Sequence, residues 1–153
     1  MEITTWMATS CINMANRFHL AIPAGDLDAA MEFYCGLLGC LKGNSECNWV
    51  DINFWGNELT LHATDPDKKQ KGEIHGVDMG NVSVPHFGVH LDTETFETLK
   101  KKLIENNVEF VNEPYLRFKN EELEQETMFI EDPHGNVLEI KTMRNPDLLF
   151  DPS

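Results

Sequence analysis

The sequence predicts an α+β fold built from two copies of one β-α-β-β-β module. An alternating strand followed by an amphipathic helix occurs twice, beginning near residues 17 and 84. Further extended segments follow each helix, and both halves carry a Gly-Asn pair at their last hairpin, at 56–57 and 135–136. A strand buries one face and a helix one stripe, so we expect mixed or antiparallel sheets with the helices outside.

The first module is expected at about residues 17–64. Its first strand alternates, with Phe18, Leu20 and Ile22 on one face. Asp26 is placed to cap a helix whose apolar residues recur at helical spacing. The expected elements are a strand at 17–23, a helix at 27–38, and strands at 49–55 and 58–63.

The second module is expected at about residues 84–143, after a polar stretch at 64–83 that predicts a linker or mobile loop. Its last two strands meet across Asp-Pro-His-Gly-Asn, a composition typical of turns. The expected elements are a strand at 84–91, a helix at 93–105, extended segments at 108–111 and 115–118, and strands at 127–130 and 137–141. We interpret 1–15 as a flexible leader and 145–153 as a loosely packed tail.

Composition excludes several classes of protein. Lys and Arg number 12 against 26 Asp and Glu, and a net charge of −14 argues against nucleic acid or an anionic membrane as a partner. No run approaches the roughly 20 apolar residues of a membrane helix, and the first residues lack a secretory signal pattern. The four cysteines have no CxxC spacing, so we expect reduced thiols in a cytoplasmic protein.

Metal-binding types of side chain are expected on the strand faces that point away from the apolar residues. Successive strand residues point to opposite sides, so His19 lies opposite the apolar face of its strand. The same alternation selects His86 and His90, Glu139, and the set Glu58, Thr60 and His62. If each sheet curls, this face becomes the wall of a cavity, where two imidazoles and a carboxylate bind a divalent metal.

The histidines do not all indicate the same role. A lone strand histidine is more often exposed or hydrogen-bonded than a ligand, but His19 and His86 occupy equivalent positions in two repeated first strands. His62 and His90 are alternatives as hydrogen-bond partners of the ligands. The remaining two, His75 and His134, fall in expected loops and are interpreted as solvent-exposed.

Five segments together resemble the glyoxalase / bleomycin-resistance / extradiol-dioxygenase superfamily, also called vicinal oxygen chelate proteins. They are FHLAIP at 18–23, DLDAAMEFY at 26–34, LLGC at 37–40, PHFGV at 85–89 and FIEDPHGNVLEI at 129–140. The resemblance spans about residues 17–143. It implies one domain at 16–144, in which the two modules form an open, cup-like mixed-sheet barrel around a divalent metal.

The resemblance carries over to His19, His86 and Glu139 as metal ligands. The family has a fourth ligand position on the last strand of the first module. When the two modules are aligned at their Gly-Asn pairs, this position falls on Thr60, a poor ligand. A shift in register would place Glu58 or His62 there instead. We favour three ligands. The metal expected is Fe²⁺, Mn²⁺, Zn²⁺, Ni²⁺ or Co²⁺.

The substrate side of the cup is assigned to Tyr115, Arg117 and Phe118. Arg117 could pair with a substrate carboxylate, although a surface salt bridge is an equal alternative.

The resemblance implies a small oxygenated substrate that chelates the metal through adjacent oxygens. One hypothesis is a dioxygenase-like enzyme. A second is a glyoxalase- or epimerase-type lyase or isomerase, in which Glu58 or Glu139 moves a proton. A third is a non-catalytic protein that binds a drug or metabolite, as bleomycin-resistance members do. The cup is completed either within the chain or across a homodimer, which is the partner we expect.

Overall fold

A computed structural model gives the structure of residues 16–77 and 80–152. The expected leader at 1–15 lies outside these described residues. The strands are β1 His19–Gly25, β2 Leu41–Glu46, β3 Trp49–Phe54, β4 Asn57–Ala63, β5 Glu73–Val77, β6 Gly80–Val84, β7 Phe87–Leu91, β8 Phe110–Arg117, β9 Gln125–Glu131 and β10 Val137–Met143. The helices are α1 Leu27–Met31, continued by a π-helical segment Glu32–Leu37, then α2 Thr93–Glu105, and a 3₁₀ turn Pro146–Phe150.

The strands form two four-stranded sheets of the same internal order, which confirms the two β-α-β-β-β modules. The first sheet runs β1-β4-β3-β2 and the second β7-β10-β9-β8. In each sheet the first pairing is parallel and the others are antiparallel. This mixed, repeated order is compatible with the cup-like architecture expected from the sequence.

Both helices begin at aspartates. A side-chain oxygen of Asp26 accepts a 2.8 Å hydrogen bond from the amide of Ala29, and Asp92 caps α2 in the same way through Thr95. The apolar stripes of the helices bury Ala30, Tyr34, Phe96 and Leu103 in one core with side chains from both sheets. A smaller cluster of Val82, Phe129 and Val137 is buried separately, with Tyr115 packed against it.

A buried polar joint at Asp132 connects the modules. Tyr34 Oη donates a 2.8 Å hydrogen bond to Asp132 Oδ2, and the amides of His134 and Asn136 donate to Oδ1. Asn136 Nδ2 donates to the carbonyl of Pro23 in β1 at 2.8 Å. The turn at 132–136 therefore binds the first module as well as connecting β9 to β10.

The interpretation of His134 as solvent-exposed is wrong. Its side chain is buried, with 2% of the residue exposed. A Cβ on Gly25 would collide with its ring, and its Nε2 lies 3.3 Å from Thr64 Oγ1. Gly25 and Thr64 both belong to the first module, at least 70 residues from His134 in the sequence, so local sequence around His134 could not indicate this burial.

The structure differs from the expected elements mainly in irregular segments. The second half of the expected linker pairs as the β5–β6 hairpin. The strand expected at 84–91 is two strands, since β6 ends at Val84 and β7 begins at Phe87, and the Val84–Pro85 peptide bond is cis. Strand β2, which is exposed along its whole length, was not expected because its sequence shows no alternation of apolar and polar residues. The two segments expected at 108–111 and 115–118 form one strand, β8, whose pairing with β9 is irregular near Asn112. Among the described residues no helix is long and apolar enough to cross a membrane.

Candidate metal-binding site

Glu139 lies in the central strand β10 of the second sheet, and its carboxylate has several partners. The residue is 8% exposed. Thr127 Oγ1 donates a 2.8 Å hydrogen bond to Oε1. His86 Nε2 and Lys141 Nζ each lie 3.2 Å from Oε2. A buried carboxylate of this kind needs such cationic and donor partners to offset lost hydration.

His86, immediately before β7, is oriented by its own backbone neighbourhood. Its Nδ1 lies 2.7 Å from the carbonyl oxygen of Ser83. A carbonyl only accepts, so Nδ1 carries the hydrogen in this contact and Nε2 faces Glu139. The ring also meets Phe129 edge-on, with centroids 5.3 Å apart. His86 is therefore fixed with Nε2 directed at a carboxylate oxygen.

A second pair, His19 and Glu58, lies on the first sheet. The two residues are register partners on parallel strands β1 and β4, and His19 Nδ1 is 2.6 Å from Glu58 Oε1. Both side chains are more than half exposed. Because the Glu58 carboxylate occupies Nδ1, Nε2 is the ring nitrogen that remains available to bind a metal.

The described residues contain no group of three or more His, Cys, Asp or Glu side chains close enough to hold a metal. His86 and Glu139 come together, and His19 joins Glu58 instead of that pair. One chain thus carries two donor pairs, the His86–Glu139 pair and the His19–Glu58 pair, one on each sheet.

The other ligand candidates are engaged elsewhere or lie farther away. Thr60 is buried and donates a 2.7 Å hydrogen bond to Asp51 Oδ1. His62 is exposed and pairs in register with Pro23, four residues along β1 from His19. His90 lies opposite Lys141. Partial burial and the Lys141 charge lower the pKa of His90, while Glu139 acts in the opposite direction.

The expected substrate-side residues lie on the second sheet. Tyr115 pairs in register with Thr127, the residue that holds Glu139, and packs against a small apolar cluster that includes Phe129. Arg117 pairs with Gln125 at the end of β8, and its guanidinium lies 5.1 Å from the ring centre of Phe118. Alternation along β8 puts both on one face of the sheet.

Two residues that contact the candidate ligands Glu139 and His86 were missed from the sequence. Thr127 and Ser83 hold Glu139 and His86 respectively. Thr127 could have been found by pairing β9 with β10 across the turn, because it lies diagonally across from Glu139. Ser83 contributes only a backbone carbonyl, which any residue supplies, so side-chain identity holds no signal there.

Comparisons with known proteins agree on one family. The family model described as the glyoxalase/bleomycin resistance protein/dioxygenase superfamily matches residues 17–140. A crystal structure of a glyoxalase/bleomycin resistance protein/dioxygenase from Alicyclobacillus acidocaldarius is 31% identical, covers 89% of this chain and 97% of its own, and has a TM-score of 0.71. No curated protein sequence matches this chain significantly.

Two more distant structures share the fold. The fosfomycin resistance protein FosX from Listeria monocytogenes is 12% identical, with 84% of this chain and 93% of that chain covered and a TM-score of 0.62. Lactoylglutathione lyase from Agrobacterium tumefaciens is 20% identical, with 84% and 93% covered and a TM-score of 0.57. At these identities the similarity establishes the architecture alone.

Proposed function

Since the chain belongs to the glyoxalase/bleomycin resistance protein/dioxygenase superfamily, we propose that it is a divalent-metal-dependent enzyme. It acts on a small oxygenated substrate held through adjacent oxygens. The observation that carries the proposal is the His86–Glu139 pair, in which Nε2 and Oε2 are 3.2 Å apart while Nδ1 is occupied by Ser83.

The donor chemistry of this pair fits a cation. With its hydrogen on Nδ1, a neutral imidazole presents the lone pair of Nε2. That lone pair faces Glu139 Oε2 at 3.2 Å, so a divalent ion ligated by both atoms would place a positive charge between two electron-rich donors. Nζ of Lys141 lies at the same carboxylate oxygen, 3.2 Å from Oε2.

His19 is the third ligand in this proposal, and a second copy of the chain supplies it. The His19–Glu58 pair is more than half exposed on the uncovered face of the first sheet. In a two-fold dimer, the His19–Glu58 pair of each copy would face the His86–Glu139 pair of the other copy. The dimer would therefore contain two identical sites. Glu58 then orients His19, as carboxylates do behind metal-bound histidines.

Two histidines and one carboxylate leave open coordination positions for the substrate. When bound, the metal acts as a Lewis acid on the chelated oxygens. Thr127 and Ser83 hold Glu139 and His86 in place, so the ligands need not reorganise. Tyr115 and Arg117, on the same sheet, are the proposed substrate-facing side chains. The metals suited to this set are Fe²⁺, Mn²⁺, Zn²⁺, Ni²⁺ and Co²⁺.

The three-ligand set favours dioxygenase-like chemistry, since two histidines and one carboxylate are typical of non-haem iron oxygenases. The hydrogen bond from Thr60 to Asp51 supports three ligands rather than four. A lyase or isomerase is the second candidate. It is supported by the exposed Glu58 carboxylate beside His19, which could accept a substrate proton. A non-catalytic binding protein would be favoured by apolar residues at the ligand positions, so the histidines and carboxylates found there count against it.

Metal affinity of purified variants tests the proposal. We expect His86→Ala, Glu139→Gln and His19→Ala each to lose tight binding of Mn²⁺ or Co²⁺, whereas His75→Ala, an exposed histidine on β5, keeps it. Unchanged metal affinity in the first three variants would contradict a metal-dependent function. Oxygen uptake with catechols, compared with turnover of a hemithioacetal, then separates oxygenase from lyase.

Mixing two inactive variants tests the shared site. If His19→Ala and Glu139→Gln chains are refolded together, mixed dimers contain one intact site, so about a quarter of the sites should bind metal. A site formed within one chain would recover none. Recovery of binding therefore distinguishes the dimeric site from the intrachain one, and sedimentation of the mixture verifies that dimers formed.

A further inference from the structure

Lys141 lies two residues beyond Glu139 in β10 and therefore on the same face of the second sheet. Its Nζ is 3.2 Å from Glu139 Oε2, the oxygen that also faces His86. The Lys141 side chain is only 21% exposed, and that of Glu139 is 10% exposed. A surface lysine normally extends its ammonium group into water, whereas this one directs it at a nearly buried carboxylate. Lys141 thus already supplies a positive charge at the proposed metal-binding oxygen.

The strands beside β10 show that Glu139 is the carboxylate with which Lys141 pairs. The register partners of Lys141 are His90 on β7 and Thr127 on β9, and neither is acidic. Thr127 donates its hydroxyl hydrogen to the other oxygen, Glu139 Oε1. Partial burial, and then the charge of Lys141, lower the pKa of His90. The ammonium charge therefore acts across this face of the sheet, and Glu139 is its counter-ion.

A metal and the Lys141 ammonium group would use the same carboxylate oxygen. An ion ligated by His86 Nε2 and Glu139 Oε2 would lie within a few ångströms of Lys141 Nζ. Two positive charges so close repel each other, and more strongly in a sheltered place than in bulk water. The uncharged Thr127 hydroxyl bonds Oε1 and has no such conflict. Of the groups that hold Glu139, Lys141 is the one that a metal would displace.

We propose that Lys141 is an internal competitor for the metal, holding Glu139 Oε2 in the metal-free protein and leaving it when a divalent ion binds. This inference rests on the proposed function, because it takes Glu139 to be a metal ligand. Two consequences follow. The nearly buried Glu139 carboxylate is neutralised in the metal-free protein, and the metal affinity is lower than the ligands alone would give.

Lys141→Met tests the inference, because it removes the charge and keeps a long side chain. In the presence of a chelator, the melting temperature should fall, since Glu139 loses its cation. The Co²⁺ affinity, measured by isothermal titration, should rise about tenfold or more, since the repulsion is gone. An ion pair with a structural role alone would lower the melting temperature without tightening Co²⁺ binding. Lys141→Arg keeps the charge and should bind Co²⁺ no more tightly than the wild type.

Lys100→Met is the matched control. The Lys100 side chain is 20% exposed, and its Nζ lies 2.8 Å from carboxylate oxygens of both Glu97 and Glu126. Glu126 pairs in register with Thr142, the residue after Lys141, so this ion-pair network lies on the opposite face of the sheet. The variant should lose stability and keep the wild-type Co²⁺ affinity. Equally tighter binding in both methionine variants would show an effect of net charge alone and overturn the proposal.

A second neutral variant covers failure of Lys141→Met to fold. In Lys141→Gln, the amide can still donate a hydrogen bond to Glu139 but carries no charge, so Co²⁺ should again bind more tightly than in the wild type. Unchanged or weaker Co²⁺ affinity in the neutral Lys141 variants would overturn the competition and leave the metal function standing. No binding of Co²⁺ by the wild type or by any Lys141 variant would overturn the proposed function and this inference with it.

Discussion

Tyr34 in the first module donates a buried 2.8 Å hydrogen bond to Asp132 in the second, joining positions 98 residues apart in the chain. Burial, and then the Asp132 charge, raise the pKa of Tyr34 well above its usual value. The same Asp132 holds the turn that leads into β10 and Glu139. The joint between modules and the position of the candidate ligand therefore depend on one carboxylate.

Removing the hydroxyl tests the strength of this joint. In Tyr34→Phe, Asp132 loses one buried donor while the ring keeps its packing, so we expect the free energy of unfolding to fall by about 1–3 kcal/mol. Urea denaturation measures the change. Asp132→Asn should cost more, because three other hydrogen bonds reach the same carboxylate. Glu131→Gln, the exposed neighbour, should have little effect, and an equal loss there would contradict the assignment.

Tyr34 also predicts a stability change in alkali. Its folded pKa lies above the unfolded value of about 10, so its contribution is complete below about pH 10 and is lost as pH rises toward the folded pKa. The wild type should therefore lose stability above about pH 10 more steeply than Tyr34→Phe, which has no phenol to ionise. Urea midpoints at about pH 8 and pH 10.5 measure both slopes. If the two proteins lose stability equally between these pH values, the Tyr34 phenol has the same pKa in the folded and unfolded states, which would contradict the prediction.

The cysteines should differ widely in reactivity. Cys47 is exposed, whereas Cys40 is buried and its burial raises its pKa to about 12. At about pH 8 roughly one Cys40 in ten thousand is a thiolate, the reactive form. In a Cys11→Ser background, Ellman's reagent should modify Cys47 rapidly and Cys40 only after unfolding. Cys35, half-buried with a raised pKa, should react at an intermediate rate. Rapid modification of a Cys47→Ser protein at Cys40 would contradict this order.

Some elements could be predicted from sequence because their signals are local. Helix α2 spans the expected 93–105, since its Asp92 cap and its buried stripe lie within its own segment. Strand alternation also selected Glu139 and His86, whose side chains lie 3.2 Å apart, although His86 precedes β7 and the Glu139 side of the sheet also carries buried Phe129 and Val137. By contrast, β2 is exposed along its whole length and offers no hydrophobic pattern.

Other features depend on contacts that a local pattern does not contain. His134 sits in a turn-forming sequence, yet its burial is caused by Gly25 from the other module. Ser83 acts through a backbone carbonyl. Repeat equivalence relates His19 to His86 and, because each module forms its own sheet, also separates them; which donors come together then depends on contacts between modules. The sequence therefore identifies the donor types well and their assembly poorly.

Thr127 should control the metal affinity without being a ligand. Its hydroxyl donates to Glu139 Oε1, so Thr127→Val leaves the carboxylate less restrained at nearly constant side-chain volume. We expect Co²⁺ or Mn²⁺ affinity to fall about tenfold, the lower end for loss of such a partner. Isothermal titration measures it. Thr98→Val is the control, because its hydroxyl bonds only within α2, to the carbonyl of Glu94. Equal affinities in both variants would remove Thr127 from the site.

Gly88 tests how closely β7 must approach β10 for the site to form. The two strands are parallel, with Gly88 the register partner of Glu139, and a Cβ at this position would overlap the Glu139 carbonyl oxygen. Backbone cannot yield as a flexible side chain can, so Gly88→Ala must displace β7, and with it His86 two residues earlier. We expect a loss of about 3 kcal/mol or more in stability, the range of severe core overpacking, together with weakened metal binding.

Gly36→Ala is the matched control for Gly88→Ala. Gly36 lies in the helical segment after α1, and its added methyl group would meet nothing within 4 Å. Alanine favours helix over glycine by up to about 1 kcal/mol, so this variant should be neutral or slightly stabilised. Thermal unfolding and metal titration of the two proteins separate a general glycine effect from a local one. If both variants keep wild-type stability and metal affinity, β7 is free to move away from β10, and the fixed position of His86 beside Glu139 would have to be abandoned.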